Sequence, residues 1–244
     1  MKTIHILATA HGTDSAEGRA AINLVRVELD DMLRAHGGSQ DTQYQVHEAY
    51  VDVQSPNVDE AALALPKEEL CVIVPILLST GFHTQVDLRR AAKNSGIAQV
   101  RIAEPLGPDA SLAALQRARL EQAGWSPGAG IVVQGSAGSS RQDGREDMSQ
   151  AAALLEAELG EPVRNGFVAA IDPKLADLAE TEQPSFASPY LLAEGFFAGK
   201  MRRDIERVSP GTTVAAPLVN SHDTASARII AACALNRVME ALRN

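Results

Sequence analysis

Short apolar runs alternate with longer amphipathic stretches along the whole chain. Ile4 to Ala10 is β-branched and apolar with little alternation, the pattern of a strand buried on both faces. His11-Gly12-Thr13-Asp14-Ser15 follows as a polar loop ending in helix-capping residues. Ile22, Val25, Leu29 and Leu33 then recur at helical spacing between about Glu17 and Arg34, and Gly37-Gly38 stops the pattern. Tyr44 to Val53 predicts a second strand, with Pro56 near the next helix start. Leu70 to Leu78 predicts a third, in which Pro75 is awkward for a central position. A helix is predicted from about Gln85 to Asn94, a strand from Val100 to Ala103, and a helix from Asp109 to about Ala123. This βαβαβαβα order predicts a parallel sheet covered by helices.

After the turn-rich stretch Trp125 to Gly130 the order returns: Ile131-Val132-Val133, a helix to Leu159, Val163 to Val168, Ser188 to Phe197, and Thr212 to Leu218. Residues 1–124, a linker 125–130 and residues 131–244 are the expected divisions. The fold expected is α/β, two tandem similar domains of four parallel strands each, with a cleft between them. Four anchors set the repeat register. Gly12 matches Gly138 at an offset of 126, and Pro56 matches Pro173 at 117. Pro75, Gly81 and Phe82 match Pro189, Gly195 and Phe196 at 114, and Pro105-Leu106 matches Pro217-Leu218 at 112.

The repeat acts as an internal comparison. His11, Asp52 and His83 each fall at or past the carboxyl end of a predicted strand, where open α/β sheets bind ligands. Their counterparts are Ala137, Ala169 and Phe197, none of which titrates, while the neighbouring glycines and prolines are kept. A capping role would be needed in both copies, so these three residues are candidates for chemistry. Two imidazoles and a carboxylate suit a divalent first-row metal, and so few ligands favour passing the metal on. His5 and His47 read as strand residues, His36 as a helix end, and His222 as part of the last helix's first turn.

Composition narrows the function classes. A net charge of −9 argues against nucleic acid and against an anionic membrane surface. No apolar run is long enough to span a bilayer, and the short run before Ala8-Thr9-Ala10 contains His5, which suits a strand better than a signal segment. Cys71 and Cys233 lie in apolar runs outside any CxxC, which favours reduced thiols and a cytoplasmic setting. There is no phosphate-binding loop ending in Lys-Ser/Thr, and no G-x-S-x-G nucleophile motif.

His11-Gly12-Thr13, Tyr50-Val51-Asp52-Val53 before Pro56, and Pro75-Ile76-Leu77-Leu78 followed by Gly81-Phe82-His83 together resemble the sirohydrochlorin chelatases of the cobaltochelatase/ferrochelatase type. The resemblance extends over the whole chain and implies a class II chelatase-like fold. It implies ATP-independent insertion of Fe2+ or Co2+ into sirohydrochlorin, in siroheme or cobalamin biosynthesis, with no organic cofactor. His11 and His83 would bind the metal, and Asp52 would stand where the family pattern carries a glutamate. Gly12, Thr13, Gly81, Phe82, Arg89, Ser139 and Arg141 would contact the tetrapyrrole, the arginines through its carboxylates. Arg89-Arg90 and Arg202-Arg203 occupy near-equivalent places in the two halves. A duplicated chain supplies its own pseudo-two-fold partner and is expected to work as a monomer. A metal or tetrapyrrole carrier without turnover is the alternative.

Overall fold

The computed structural model describes residues 2–37, 42–169 and 171–243, with the side chains of His83 and Gln85 outside that description. The chain runs β1 (Lys2–Ala10), α1 (Ala16–Gly37), β2 (Thr42–Tyr50), α2 (Val58–Leu63) and β3 (Leu70–Ile76). A π-helical turn at His83–Asp87 leads directly into α3 (Leu88–Asn94), followed by β4 (Val100–Ile102) and α4 (Ala110–Gln122). Then come β5 (Val132–Ser136), α5 (Gln142–Leu159), β6 (Val163–Phe167) and α6 (Leu175–Glu182). The last elements are β7 (Phe186–Tyr190), α7 (Phe196–Val208), β8 (Thr213–Val214) and α8 (Thr224–Arg243). The strands form two all-parallel sheets of order β2-β1-β3-β4 and β6-β5-β7-β8.

Strand pairing reproduces the repeat register residue by residue. Ala10 stands opposite Tyr50 and Ile76, and Ser136 stands opposite Phe167 and Tyr190; these pairs differ by 126, 117 and 114. Ala103 donates its N–H to Ile73, and Ala215 does the same to Ala187, at 2.9 Å each. The central strands are apolar because both faces are covered: Leu7, Ala49, Cys71, Ile73 and Leu88 form one core and are fully buried. Side chains the size of Leu or Ile each contribute about 1.5–3 kcal/mol on full burial. Burial pushes the Cys71 thiol up to about 12, so it behaves as a small apolar group.

Pro75 is tolerated because the neighbouring strand is short. Cys71 N–H and the Ile73 carbonyl both bond towards β4, so the same edge of Pro75 faces that side. β4 pairs only with residues 71 to 73, and Pro75 lies beyond its end, where no ladder donor is called for. Pro189 is placed in the same way above the two-residue β8.

The compact units divide the chain differently from the repeat. One unit is residues 1–106 with 221–244, and the other is residues 107–220. α8 therefore packs on α1 and β3, while α4 packs on α5 and β7. The stretch expected to be a linker lies inside the second unit, where Trp125 is 3% exposed and part of the core. Arginines fasten each exchanged helix. Arg119 on α4 donates to the carbonyls of Pro217 and Leu218 (2.7 Å at the closest), and Arg237 on α8 donates to Pro105 (2.8 Å) and Leu106 (3.3 Å).

The cores under these helices differ in polarity. Gln116 of α4 is buried and donates to Ser188 (3.0 Å) and Gln134 (3.2 Å). Gln134 in turn donates to Asn165, to Ser136 and to the Met148 carbonyl. At the repeat offsets, Gln134, Ser136 and Ser188 correspond to Ala8, Ala10 and Val74. In the first unit α8 packs on β3 and α1 and buries the apolar Ile230, Ala231 and Ala234. A polar helix face lies on the polar core, and an apolar one on the apolar core.

Candidate functional site

In a sheet of order β2-β1-β3-β4 the connections change direction between β1 and β3, and the crevice at their carboxyl ends is where such folds bind ligands. The loop after β1 carries His11, and the turn after β3 leads to His83. The loop after β2 carries Asp52, tied to its neighbour by the Asp52 N–H donating to the His11 carbonyl at 2.9 Å. Val51 N–H likewise donates to the Ala10 carbonyl at 3.0 Å. The three sequence-derived candidates thus stand on three adjacent loops of one sheet edge. The His83 side chain lies outside the described residues, so only its backbone is located. Among the described residues, no three His, Cys, Asp or Glu side chains come together as a metal-ligand group.

Gly12 is required by close approach. Its φ is +97°, and a Cβ there would come within 2.0 Å of the Asp52 carbonyl oxygen. Gly138 holds the equivalent conformation at φ +102°, but its nearest neighbours are side-chain atoms of Ala169 and Ile171 at 3.1 Å. His11 is half-buried, with Nδ1 3.3 Å from the Gly12 carbonyl. Thr13 N–H donates to the Gln54 Oε1 at 2.9 Å, a second tie between the first two loops. Asp52 is exposed, and its Oδ1 accepts from the Val53 N–H at 2.8 Å.

The predicted second strand ends early. β2 stops at Tyr50, and Gln54 N–H donates back to the Asp52 carbonyl at 2.7 Å, closing a three-residue turn around Val53. Val53 has φ +64°, a left-handed conformation unusual for a β-branched residue. Such backbone strain persists where surrounding contacts over-determine it, often at functional edges.

The helix expected from Gln85 is not regular. The first unit has a π-helical turn at His83–Asp87, whereas at the same offset the second unit is α-helical from Phe196 to Val208. Ser95 N–H bonds Ala91 and Ser209 N–H bonds Ile205, so the offset of 114 persists through both helices. The same number of residues is simply wound more widely in the first unit. Thr84 is buried and closes the turn from both sides. Its Oγ accepts from Gly81 N–H at 2.9 Å and donates to the Gly81 carbonyl at 3.0 Å. Phe82 is 55% exposed beside it.

The arginines separate into engaged and open. Arg89 is exposed, with no carboxylate partner among the described residues. Arg90 donates to Asp59 (2.8 Å) and to Asp87 (2.8 Å), and the bond to Asp59 most of all holds its guanidinium in the charged form. In the second unit Arg141 is bound by Asp143 at 2.8 Å, Arg202 is paired with Glu194, and Ser139 accepts from the Arg141 N–H. His5 and His47, both read from sequence as strand residues, are bonded to each other. His5 Nδ1 lies 2.9 Å from His47 Nε2, and its Nε2 lies 2.6 Å from Glu69. This chain runs from Glu69, just before β3, to residues within β1 and β2, and none of the three lies on the loops that carry the candidate site. His36 lies in the last turn of α1, as expected, whereas His222 lies in a turn just before α8 and not in the helix's first turn.

The fold is that of duplicated, class II chelatase-like α/β proteins. The CbiX family model matches residues 5–123 and 130–232, and the chain belongs to that family. A sirohydrochlorin cobaltochelatase of Sulfurisphaera tokodaii is 27% identical over 79 residues, which is 32% of this chain. That match spans 66% of the relative's length. The crystal structure of the sirohydrochlorin chelatase SirB from Bacillus subtilis subspecies spizizenii in complex with cobalt aligns at a TM-score of 0.73 and 20% identity, covering 100% of this chain and 97% of that one. SirB from Bacillus subtilis with Fe3+ aligns at 0.71 and 19% identity, covering 99% and 96%. At these identities the likeness is one of fold.

Proposed function

We propose that this protein inserts a divalent metal, Fe2+ or Co2+, into sirohydrochlorin without ATP. The observation that carries this reading is the half-specific edge. His11 and His83 stand on the loops at the β1/β3 switch point and Asp52 on the adjoining loop after β2, and the same loops of the second unit hold Ala137, Ala169 and Phe197. Membership of the CbiX family and likeness to chelatases carrying cobalt and iron point the same way.

Insertion exchanges two pyrrole N–H protons of the macrocycle for one M2+, so the site must hold the metal and accept protons. Neutral imidazoles do both, binding first-row metals through nitrogen and titrating near physiological pH. We assign the metal to His11 and His83, with Asp52 offering a carboxylate at the rim. Gly12, Thr13, Gly81 and the exposed ring of Phe82 would line a flat, carboxylate-bearing ligand on this reading, by contact, since the Thr13 and Gly81 N–H groups already bond Gln54 and Thr84. Arg89 is the carboxylate partner we favour, because Arg90 and Arg141 are already engaged.

The test is spectroscopic. Sirohydrochlorin in excess over protein is mixed with Co2+ or Fe2+, and the change in the macrocycle's absorption is followed. Many turnovers per protein support a chelatase, whereas a change that stops at one equivalent would make the protein a carrier.

A further inference from the structure

Beneath the candidate site the first unit buries a charge where the second buries an apolar side chain. Asp87 is 7% exposed, and its counterpart at 114 is Met201, which is fully buried. Gly135 makes room for that methionine, since a Cβ on it would come within 2.6 Å of the Met201 sulfur. The first unit has Thr9 in place of that glycine. A buried carboxylate is costly unless paired and hydrogen-bonded, and Arg90 supplies the partner at 2.8 Å.

Arg90 reaches further. Its Nη2 donates to Asp59 on α2 at 2.8 Å, and α2 begins directly after the loop that carries Asp52. The guanidinium therefore joins two elements, the π-helical turn at His83–Asp87 and the helix following the Asp52 loop. At the repeat offsets Asp59, Asp87 and Arg90 correspond to Ala176, Met201 and Asp204. The clamp is confined to the half that carries the histidines, and so is the π-helical turn. A merely structural clamp would serve the equivalent helix pair of the second unit equally well. That pair is held without it, by apolar contacts such as Leu175, Ala179, Met201 and Ile205.

We propose that Arg90 is a positioning residue, which with Asp59 and Asp87 fixes the π-helical turn so that His83 is held ready for the metal. Outer partners that orient metal-binding side chains are worth about 10–100-fold in affinity. The proposal rests on the metal-binding role assigned above.

The experiment titrates the full-length protein with Co2+ alone, read by its visible absorption, alongside thermal unfolding. Arg90→Ala and Asp59→Ala are expected to weaken Co2+ binding about tenfold. Arg90→Lys recovers part of the loss, since a lysine keeps the charge without the fork. Asp204→Ala, the second-unit control, leaves binding unchanged. In a His83→Ala background, removing Arg90 should cost less than about twofold, because the clamp acts through that residue. Unchanged Co2+ affinity in folded Arg90→Ala and Asp59→Ala proteins, or an equal loss with and without His83, would overturn the proposal. Should Arg90→Ala fail to fold, Asp59→Ala and Arg90→Lys carry the comparison. A wild-type protein that does not bind Co2+ at all would instead overturn the functional reading, and this inference with it.

Discussion

The backbone N–H of Asp52 donates to the carbonyl of His11 at 2.9 Å, and Ala169 makes the same bond to Ala137 at 2.9 Å in the second unit. One backbone frame is thus built twice, and the positions that hold His11, Asp52 and His83 in one copy hold Ala137, Ala169 and Phe197 in the other. The frame is therefore formed with either set of side chains.

Gly12→Ala is expected to damage the site more than Gly138→Ala damages the fold. Both residues have positive φ, which costs an alanine about 1–2 kcal/mol. The new methyl at position 12 also meets a backbone oxygen at 2.0 Å, whereas at position 138 its nearest neighbours, the Ala169 Cβ and the Ile171 side chain, are 3.1 Å away. Denaturant unfolding should therefore rank Gly12→Ala as the less stable variant, and only Gly12→Ala should lose metal insertion.

Gln116→Leu should destabilise the protein by about 1–3 kcal/mol, because it strips the donor from buried Gln134 and Ser188. Replacing its partners as well, with Gln134→Val and Ser188→Ala added, should recover most of the loss, since Ser136 and Asn165 keep each other as partners at 2.9 Å. Urea midpoints of the single and triple variants check this; equal midpoints for Gln116→Leu and wild type would show that the network contributes nothing.

Stability should fall as the pH drops below about 6.5. Burial first, and then the neighbouring His5, push the His47 imidazole below its ordinary 6.5. The unfolded chain then binds the proton more readily than the folded one, so the stabilising contribution is present above 6.5 and is lost as pH falls through the folded value. The hydrogen-bonded chain explains the sense of the effect. His5 bonds both Glu69 and His47, and two charged imidazoles would face each other N–H to N–H at 2.9 Å. Melting temperature measured from pH 8 to 5 should decline in the wild type, and His47→Gln should flatten the decline.

Much of this architecture is legible in the sequence because strand burial and turn chemistry are local. The apolar runs at Ile4–Ala10 and Leu70–Ile76, the capping Asp109, and the glycine pair Gly12 and Gly138 each carry their own signal. What was not legible depends on partners distant in sequence. Nothing near Asp109 says that α4 joins the following unit, since its partners there, such as Ser188 for Gln116 and the Leu218 carbonyl for Arg119, lie far along the chain. The π-helical turn has no periodicity of its own to announce it. The Arg90 clamp did leave a trace, because the comparison that exposed His11 and His83 also opposes Asp87 to Met201 and Asp59 to Ala176.

The central claim is that the first unit's polar edge carries out metal insertion. It is tested most directly by the initial rate of Co2+ insertion into sirohydrochlorin for wild type, His11→Ala and Phe197→Ala, with folding of each variant checked by thermal unfolding. The account predicts that His11→Ala lowers the rate by about 10²–10⁴-fold, the usual contribution of a proton-transferring group. Phe197→Ala, at the second-unit counterpart of His83, should stay within about threefold of wild type. A folded His11→Ala protein turning over at the wild-type rate would contradict it.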